Sequence, residues 1–298
     1  MAIVEAFGDG SPGGGRGEGM ARDDAIRLDA AADRENFPVA SRLLPARLRG
    51  RVVAFYNYAR AADDAADDPA ATPGVRLARL DTLSRGLDGT EEDNAGATLR
   101  RALDHGATPA DAAALSAARD LLPAFRRDAA GIACSDWDDL TSYCASSARP
   151  VGRFLLALHE EPPETHAPSD ALCDALQVLN HLQDIAADRR DLGRRYLPGD
   201  WMDAAGASDD DLTAEALTPA LRQVIDRTLD ASDDLLMRAA PLPRRIQARG
   251  LRAQATATLD LARRLSARLR AGDPLARRIA PTRIDFARAG LSGLRAAL

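Results

Sequence analysis

Lysine is absent from this chain: all 39 basic residues among its 298 are arginine. That absence fits a GC-rich coding bias and by itself implies no selection for phosphate-binding forks. Aromatic residues are scarce, at 4%, and with alanine and leucine abundant this favours helix over strand. Only three cysteines occur, Cys134, Cys144 and Cys173, widely spaced. They exclude a disulfide framework or a CxxC metal site and read as small buried residues of a reducing compartment. No apolar run approaches the ~18 residues a membrane span needs. The start of the chain also lacks the charged opening and apolar core of a signal peptide. A cytoplasmic protein is expected. The net charge of −6 excludes the basic footprint of a nucleic-acid binder.

What is present is ordinary in bulk, with 46% hydrophobic and 28% charged residues, enough for one large core or two smaller ones. Residues 1–20 are rich in glycine, and Met20 is a second candidate start. Gly8, Gly10 and Gly13 formally match a dinucleotide-binding GxGxxG pattern. More glycine and then helical sequence follow, where that motif needs a helix at once and a second strand further on. The stretch reads as a disordered tail. From Ala21 the pattern is helical, with helices expected at about 47–68, 75–87, 95–104, 109–130, 136–159, 169–190, 212–239, 243–271 and 275–296. Proline and glycine punctuate the gaps. No alternating strand, repeat or linker stands out, so residues 21–298 are expected to form one all-α helical bundle.

Two stretches carry chemistry. The first, Arg60–Asp68, crowds Asp63, Asp64, Asp67 and Asp68 together, with Asp63 and Asp67 four apart on one helix face. Such acids repel unless a cation lies between them. The second sets Asn180, Asp184 and Asp188 at four-residue steps, a polar stripe about 12 Å long, which Gln177 extends. Leu172, Leu176, Val178, Leu179, Leu182 and Ile185 cover the other faces, as in a buried helix, where carboxylates must be paired or metal-bound. The 36 aspartates make this spacing common by chance. Asp29/Asp33, Asp170/Asp174, Asp226/Asp230 and Asp230/Asp234 also fit it, but their polar surroundings read as solvated faces. Two opposed acidic helices suit Mg²⁺ shared with a diphosphate, which would assist departure of that group while an apolar cavity shelters a carbocation. Arg60 and Arg195 offer forked contacts to phosphate.

These residues resemble the squalene/phytoene synthase family over nearly everything from about Ala21 onward. The carrying motifs are Tyr56-x-x-x-Arg60-x-x-Asp63-Asp64-x-x-Asp67; Tyr143-Cys144 with Val151-Gly152; Gln177-x-x-Asn180-x-x-Gln183-Asp184-x-x-x-Asp188; and Arg194-Arg195-Tyr196-Leu197-Pro198. The resemblance implies an isoprenoid-synthase (terpenoid-synthase) fold, Mg²⁺ and prenyl diphosphate substrates. By position it implies metal and diphosphate roles for Asp63, Asp67, Asn180, Asp184 and Asp188, with Asp64 beside them. Tyr56, Arg60, Gln177 and Tyr196 resemble pocket neighbours, and Arg278 a late diphosphate-contacting arginine. Tyr143 reads either as orienting diphosphate or facing a cation, or as a buried tyrosine capping a core bond.

One departure is informative. Where the family usually has a His-Ser-x-Ser-Phe-like block, this chain reads Glu35-Asn36-Phe37-Pro38-Val39-Ala40-Ser41. That block is similar to the hopanoid-cluster branch, which converts presqualene diphosphate and water to hydroxysqualene and diphosphate. Asn36 and Ser41 are candidates to replace the missing serines. The branch implies ionisation, cyclopropyl ring opening and water capture without a hydride donor. Head-to-head condensation of two prenyl diphosphates is the enzymatic alternative, and a non-catalytic helical partner subunit the alternative of another class. The apolar product also suggests peripheral membrane contact and pathway partner enzymes. His181 reads as packed or solvated, and Trp137 and Trp201 as packing residues.

Overall fold

The structure, a computed structural model, describes residues 44–298. The glycine-rich stretch and the candidates Asn36 and Ser41 lie outside the described residues. Among the described residues there is no strand. The chain runs through α1 (Ala46–Asp67), α2 (Pro73–Asp88), α3 (Ala95–Ala102), α4 (Pro109–Asp120), α5 (Leu122–Ala129), α6 (Trp137–Ser147) and α7 (Arg149–Leu158). It continues through α8 (His166–Gln183), α9 (Ile185–Leu192), α10 (Gly199–Ala205), α11 (Pro219–Ala239), α12 (Leu242–Arg245), α13 (Arg249–Ala271) and α14 (Arg283–Ala297).

Local sequence explains most of the starts. Thr72-Pro73, Thr108-Pro109 and Thr218-Pro219 each place a threonine whose hydroxyl accepts a first-turn N–H, followed by a proline with no N–H to lose. Asn94 and Asp136 cap α3 and α6 in the same way. Four long expected helices divide, one of them 243–271, which breaks after Arg245 where Ile246 is extended and resumes at Arg249. The 109–130 segment breaks at Leu121, just before Pro123, and 136–159 breaks at Ala148, two residues before Pro150, because neither proline can donate inside a helix. The 169–190 segment breaks at Asp184, whose backbone (φ −104°, ψ 11°) leaves helical geometry for one residue. The last helix begins at Arg283 rather than near 275, where Thr282 and Asp285 form a capping box.

The interior comprises two large apolar cores and a small one at their seam. α8, α10, α11 and α13 supply most of the first, and α1 to α5 most of the second. α7 serves both: Leu156 enters the first core, while Phe154 and Leu158 enter the second, with Phe154 stacked on Phe55 at 3.9 Å. The seam cluster holds Ala124, Cys134, Leu140, Tyr143, Cys144, Val178 and Tyr196. All three cysteines are buried and free. Trp137 stacks on Trp201 at 5.4 Å, a packing role for both. α8 is the central element, buried without interruption from Ala171 to Gln183 and packed by α6, α7, α11 and α13. Asp174, expected on a solvated face, is instead buried within α8 and held by Arg149 at 2.8 Å. Burial raises its pKa and the Arg149 hydrogen bond opposes the rise.

Glycine at a helix–helix contact gives a stability test. A Cβ on Gly96 in α3 would lie 2.3 Å from the Leu83 carbonyl oxygen of α2. Gly96→Ala should therefore lower stability by about 1–3 kcal/mol, against the helix-propensity gain of roughly 1 kcal/mol that alanine normally brings. Gly290 in α14 has nothing within 4 Å of its Cβ position, so Gly290→Ala should raise stability. Urea midpoints of the two variants, moving in opposite directions, check the pair.

Candidate active site

The end of α1 presents the first acidic face. Asp63 is buried, and Arg60 lies 3.9 Å from it and 3.1 Å from the exposed Asp64. Tyr56 stands half-buried one turn earlier. Asp67 meets Arg194 at 2.5 Å. Asp68 turns away, pairing with Arg79 at 2.6 Å and accepting the Ala70 N–H. Those two bonds, Arg79 first, hold its carboxyl below the usual range. It belongs to the helix end rather than to the site.

The second face keeps its predicted spacing despite the break. The Asp184 N–H donates to Asn180 O at 3.0 Å and the Asp188 N–H to Asp184 O at 2.8 Å, so the four-residue register continues from α8 into α9. Asn180 and Asp188 are buried. Asp184 accepts from Arg278 Nε at 2.7 Å. Asp188 lies 3.6 Å from Nδ1 of His181, whose Nε2 is 3.1 Å from Gln177 Nε2.

Between the faces sits Arg194. Gly193 adopts φ +67° after α9, and the Arg194 N–H then donates to Asp188 O at 3.0 Å. This turn sends the guanidinium inward, where Nη2 donates to Asp67 at 2.5 Å and Nη1 is buried without a hydrogen-bond partner among the described residues. Near it lies the buried Asp128 at the end of α5, accepting hydroxyl bonds from Tyr143 at 2.8 Å and Tyr196 at 3.0 Å. Burial raises the Asp128 pKa and Arg194 opposes it. Burial likewise pushes both tyrosines far up, reinforced by Asp128. For Arg194 burial works against the charge, but Tyr196, Asp128 and Asp67 outweigh it and leave the pKa raised. His181 stacks on Tyr196 at 3.6 Å, with an 18° interplanar angle.

Several nominated residues are thus brought together and others are not. Asp63, Asp67, Asn180, Asp184 and Asp188 line two faces joined through Arg194, with Tyr196, Gln177 and Arg278 attached. Tyr143 commits its hydroxyl to Asp128 inside the seam. Arg195 points elsewhere, to Asp209 at 3.1 Å. Sequence reasoning passed over Asp128, which carries no spacing signal, and chose Arg195 over Arg194. Gly193 is the local clue that could have directed the choice inward. His181, which the sequence reads as packed or solvated, is buried and stacked, and it also lies 3.6 Å from Asp188.

Two cavities adjoin these groups. One of about 10 Å³ is lined by His181, Asp188, Arg194 and Tyr196, room for a single water. The other, of about 110 Å³, is apolar and lined by Val151, Gly152, Leu155, Leu172, Leu176 and Leu251. Leu176 lies one helical turn before Asn180, so the cavity lining ends one turn of α8 before the second acidic face. The donor set is entirely oxygen, which suits Mg²⁺. Among the described residues no three His, Cys, Asp or Glu side chains converge as a ready metal cluster. Magnesium commonly takes only one or two carboxylates and completes its shell with water and phosphate.

Comparison with known proteins accords with this arrangement. The squalene/phytoene synthase family model matches residues 30–285. A hydroxysqualene synthase of Rhodopseudomonas palustris is 41% identical over 254 residues, 85% of each chain. One of Zymomonas mobilis is 39% identical over 247 residues, 82% of each. Among solved structures, squalene synthase HpnC of Alicyclobacillus acidocaldarius superposes with a TM-score of 0.69 at 30% identity, covering 84% of this chain and 94% of the other. The chain belongs to the squalene/phytoene synthase family.

Proposed function

We propose that the chain converts presqualene diphosphate and water to hydroxysqualene and diphosphate, a step of squalene and hopanoid biosynthesis. The observation that carries this reading is the pair of oxygen-rich acidic faces joined by a buried arginine, with an apolar cavity beginning one turn along the same helix. The names of the relatives similar to it favour water capture over other fates of the same cation. Head-to-head condensation is the competing reading, since the solved neighbour is described as a squalene synthase.

Each part of the site has a task. Asp63, Asp67, Asn180, Asp184 and Asp188 would hold Mg²⁺ with the substrate diphosphate, and Asp64 is exposed enough to join them. Bound there, magnesium would neutralise charge developing on the leaving group. Arg60, Arg194 and Arg278 would bind diphosphate oxygens through guanidinium forks, Arg194 through its unsatisfied Nη1. The leucines and Val151 of the apolar cavity would hold the hydrocarbon and exclude bulk water from the cation. Asp128, with its two tyrosine hydroxyls, keeps Arg194 aimed between the faces.

Two predictions follow from these assignments. Purified protein with presqualene diphosphate and Mg²⁺ should yield hydroxysqualene without NADPH, and Asp63→Ala plus Asp184→Ala should slow turnover by about 10²–10³-fold. Squalene formed only with NADPH, or a product from farnesyl diphosphate alone, would overturn the assignment. Second, Arg194→Met leaves Asp67 and Asp128 without their shared cation and should destabilise by roughly 3–5 kcal/mol. Arg195→Met, removing a part-exposed pair, should cost under ~1 kcal/mol. Thermal melts should show added Mg²⁺ raising the Tm of Arg194→Met more than that of wild type.

A further inference from the structure

The last helix, α14, has two sides with apolar residues, and among the described residues only one is covered. Asp285, Ala289 and Gly293, at four-residue spacing, are buried, and a Cβ on Gly293 would lie 2.6 Å from the Ala253 carbonyl oxygen of α13. That contact fixes how the helix is rotated. The opposite side carries Ile284, Ala287, Leu291 and Leu294, which steps of three and four residues align into one stripe. Ile284 is 64% exposed, Leu291 50% and Leu294 59%, three of the seven large exposed apolar side chains among the described residues. Exposed arginines border the stripe, Arg288 and Arg295 along one edge and Arg283 along the other. The helix has one acid, Asp285, buried and bonded to Arg268 at 2.7 Å. A chain of net charge −6 thus presents a basic, apolar strip in one place.

We propose that this face of α14 docks on an anionic lipid surface, with the leucines and Ile284 entering the headgroup boundary and the three arginines meeting lipid phosphates. Apolar side chains bordered by cations are the pattern of a helix lying in a membrane interface. A second copy of the chain fits this strip poorly. Two-fold pairing would set Arg288 and Arg295 near their own copies, and the strip is far smaller than the roughly 20–30 residues a side of a stable interface. The docked orientation also has a use. The segment entering α14 is tied to the second acidic face by Arg278 to Asp184 at 2.7 Å and by Gln183 to the Ile279 carbonyl at 2.5 Å. The helix therefore holds that face close to the surface from which an apolar substrate would arrive. The docking itself does not depend on the reaction proposed above, because it is measured without turnover.

The test is sedimentation of the full chain with phosphatidylcholine vesicles and with vesicles containing about one-third phosphatidylglycerol. Wild type should sediment with the anionic vesicles only, and less so as salt rises. Ile284→Ser with Leu291→Ser and Leu294→Ser should weaken binding by about tenfold or more. Arg288→Gln with Arg295→Gln should weaken it by about tenfold or more. Both variants should keep the wild-type Tm and wild-type turnover of detergent-dispersed substrate. Failure of wild type to bind, equal binding by wild type and both variants, or a dimer in light scattering that the serine variant dissolves would overturn the proposal.

Discussion

Everything at the centre of this molecule depends on neutralising buried carboxylates. Asp63, Asp188 and Asp128 are nearly inaccessible to water, and an ionised acid in such a place costs several kcal/mol without a partner. The fold sets an arginine or a histidine ring beside each acid of the two faces: Arg60 beside Asp63, Arg194 on Asp67, Arg278 on Asp184 and the His181 ring 3.6 Å from Asp188. Arg194 differs from the others because it is buried and faces two acids from different helices. Its position follows from a left-handed glycine, a backbone bond to Asp188 and a carboxylate held by two tyrosines. In the chemistry proposed for the site, magnesium would sit among these carboxylates and the arginines would meet diphosphate oxygens.

The same helices separate polar from apolar work. α8 carries the second acidic face at its C-terminal end and lines the apolar cavity with Leu172 and Leu176 toward its middle. One helix, buried from Ala171 to Gln183, would therefore set the distance between a bound diphosphate and its hydrocarbon. Gly152 of α7 permits the close approach this needs, since a Cβ there would fall 2.6 Å from Ser169 Oγ and 2.8 Å from Cys173 Sγ. The sequence motif Val151-Gly152 is thus a packing device for the cavity wall.

Much of this was legible in the sequence. The helical class, the burial of α8 and the two acidic stretches came directly from spacing and composition. The helix breaks at Leu121 and Ala148 were signalled by Pro123 and Pro150, and the late start of α14 by Thr282 and Asp285. The break at Asp184 was not, because no residue type there forbids helix and tertiary context imposes it. Asp128 was invisible for a similar reason: one aspartate after two arginines has no pattern until folding brings Tyr143 and Tyr196 to it. Asp174 was misread although Leu172, Cys173, Ala175 and Leu176 around it are apolar, and its partner Arg149 comes from another helix.

The division of the interior into two cores has a consequence for how the molecule comes apart. α7 lends alternate side chains to both, so melting either core strips the other of Leu156 or of Phe154 and Leu158. The active groups straddle the seam, with Asp67 on the side of one core and Asp188 on the side of the other. Neither half can hold a competent site by itself. Melting either core alone therefore takes apart the geometry of the site.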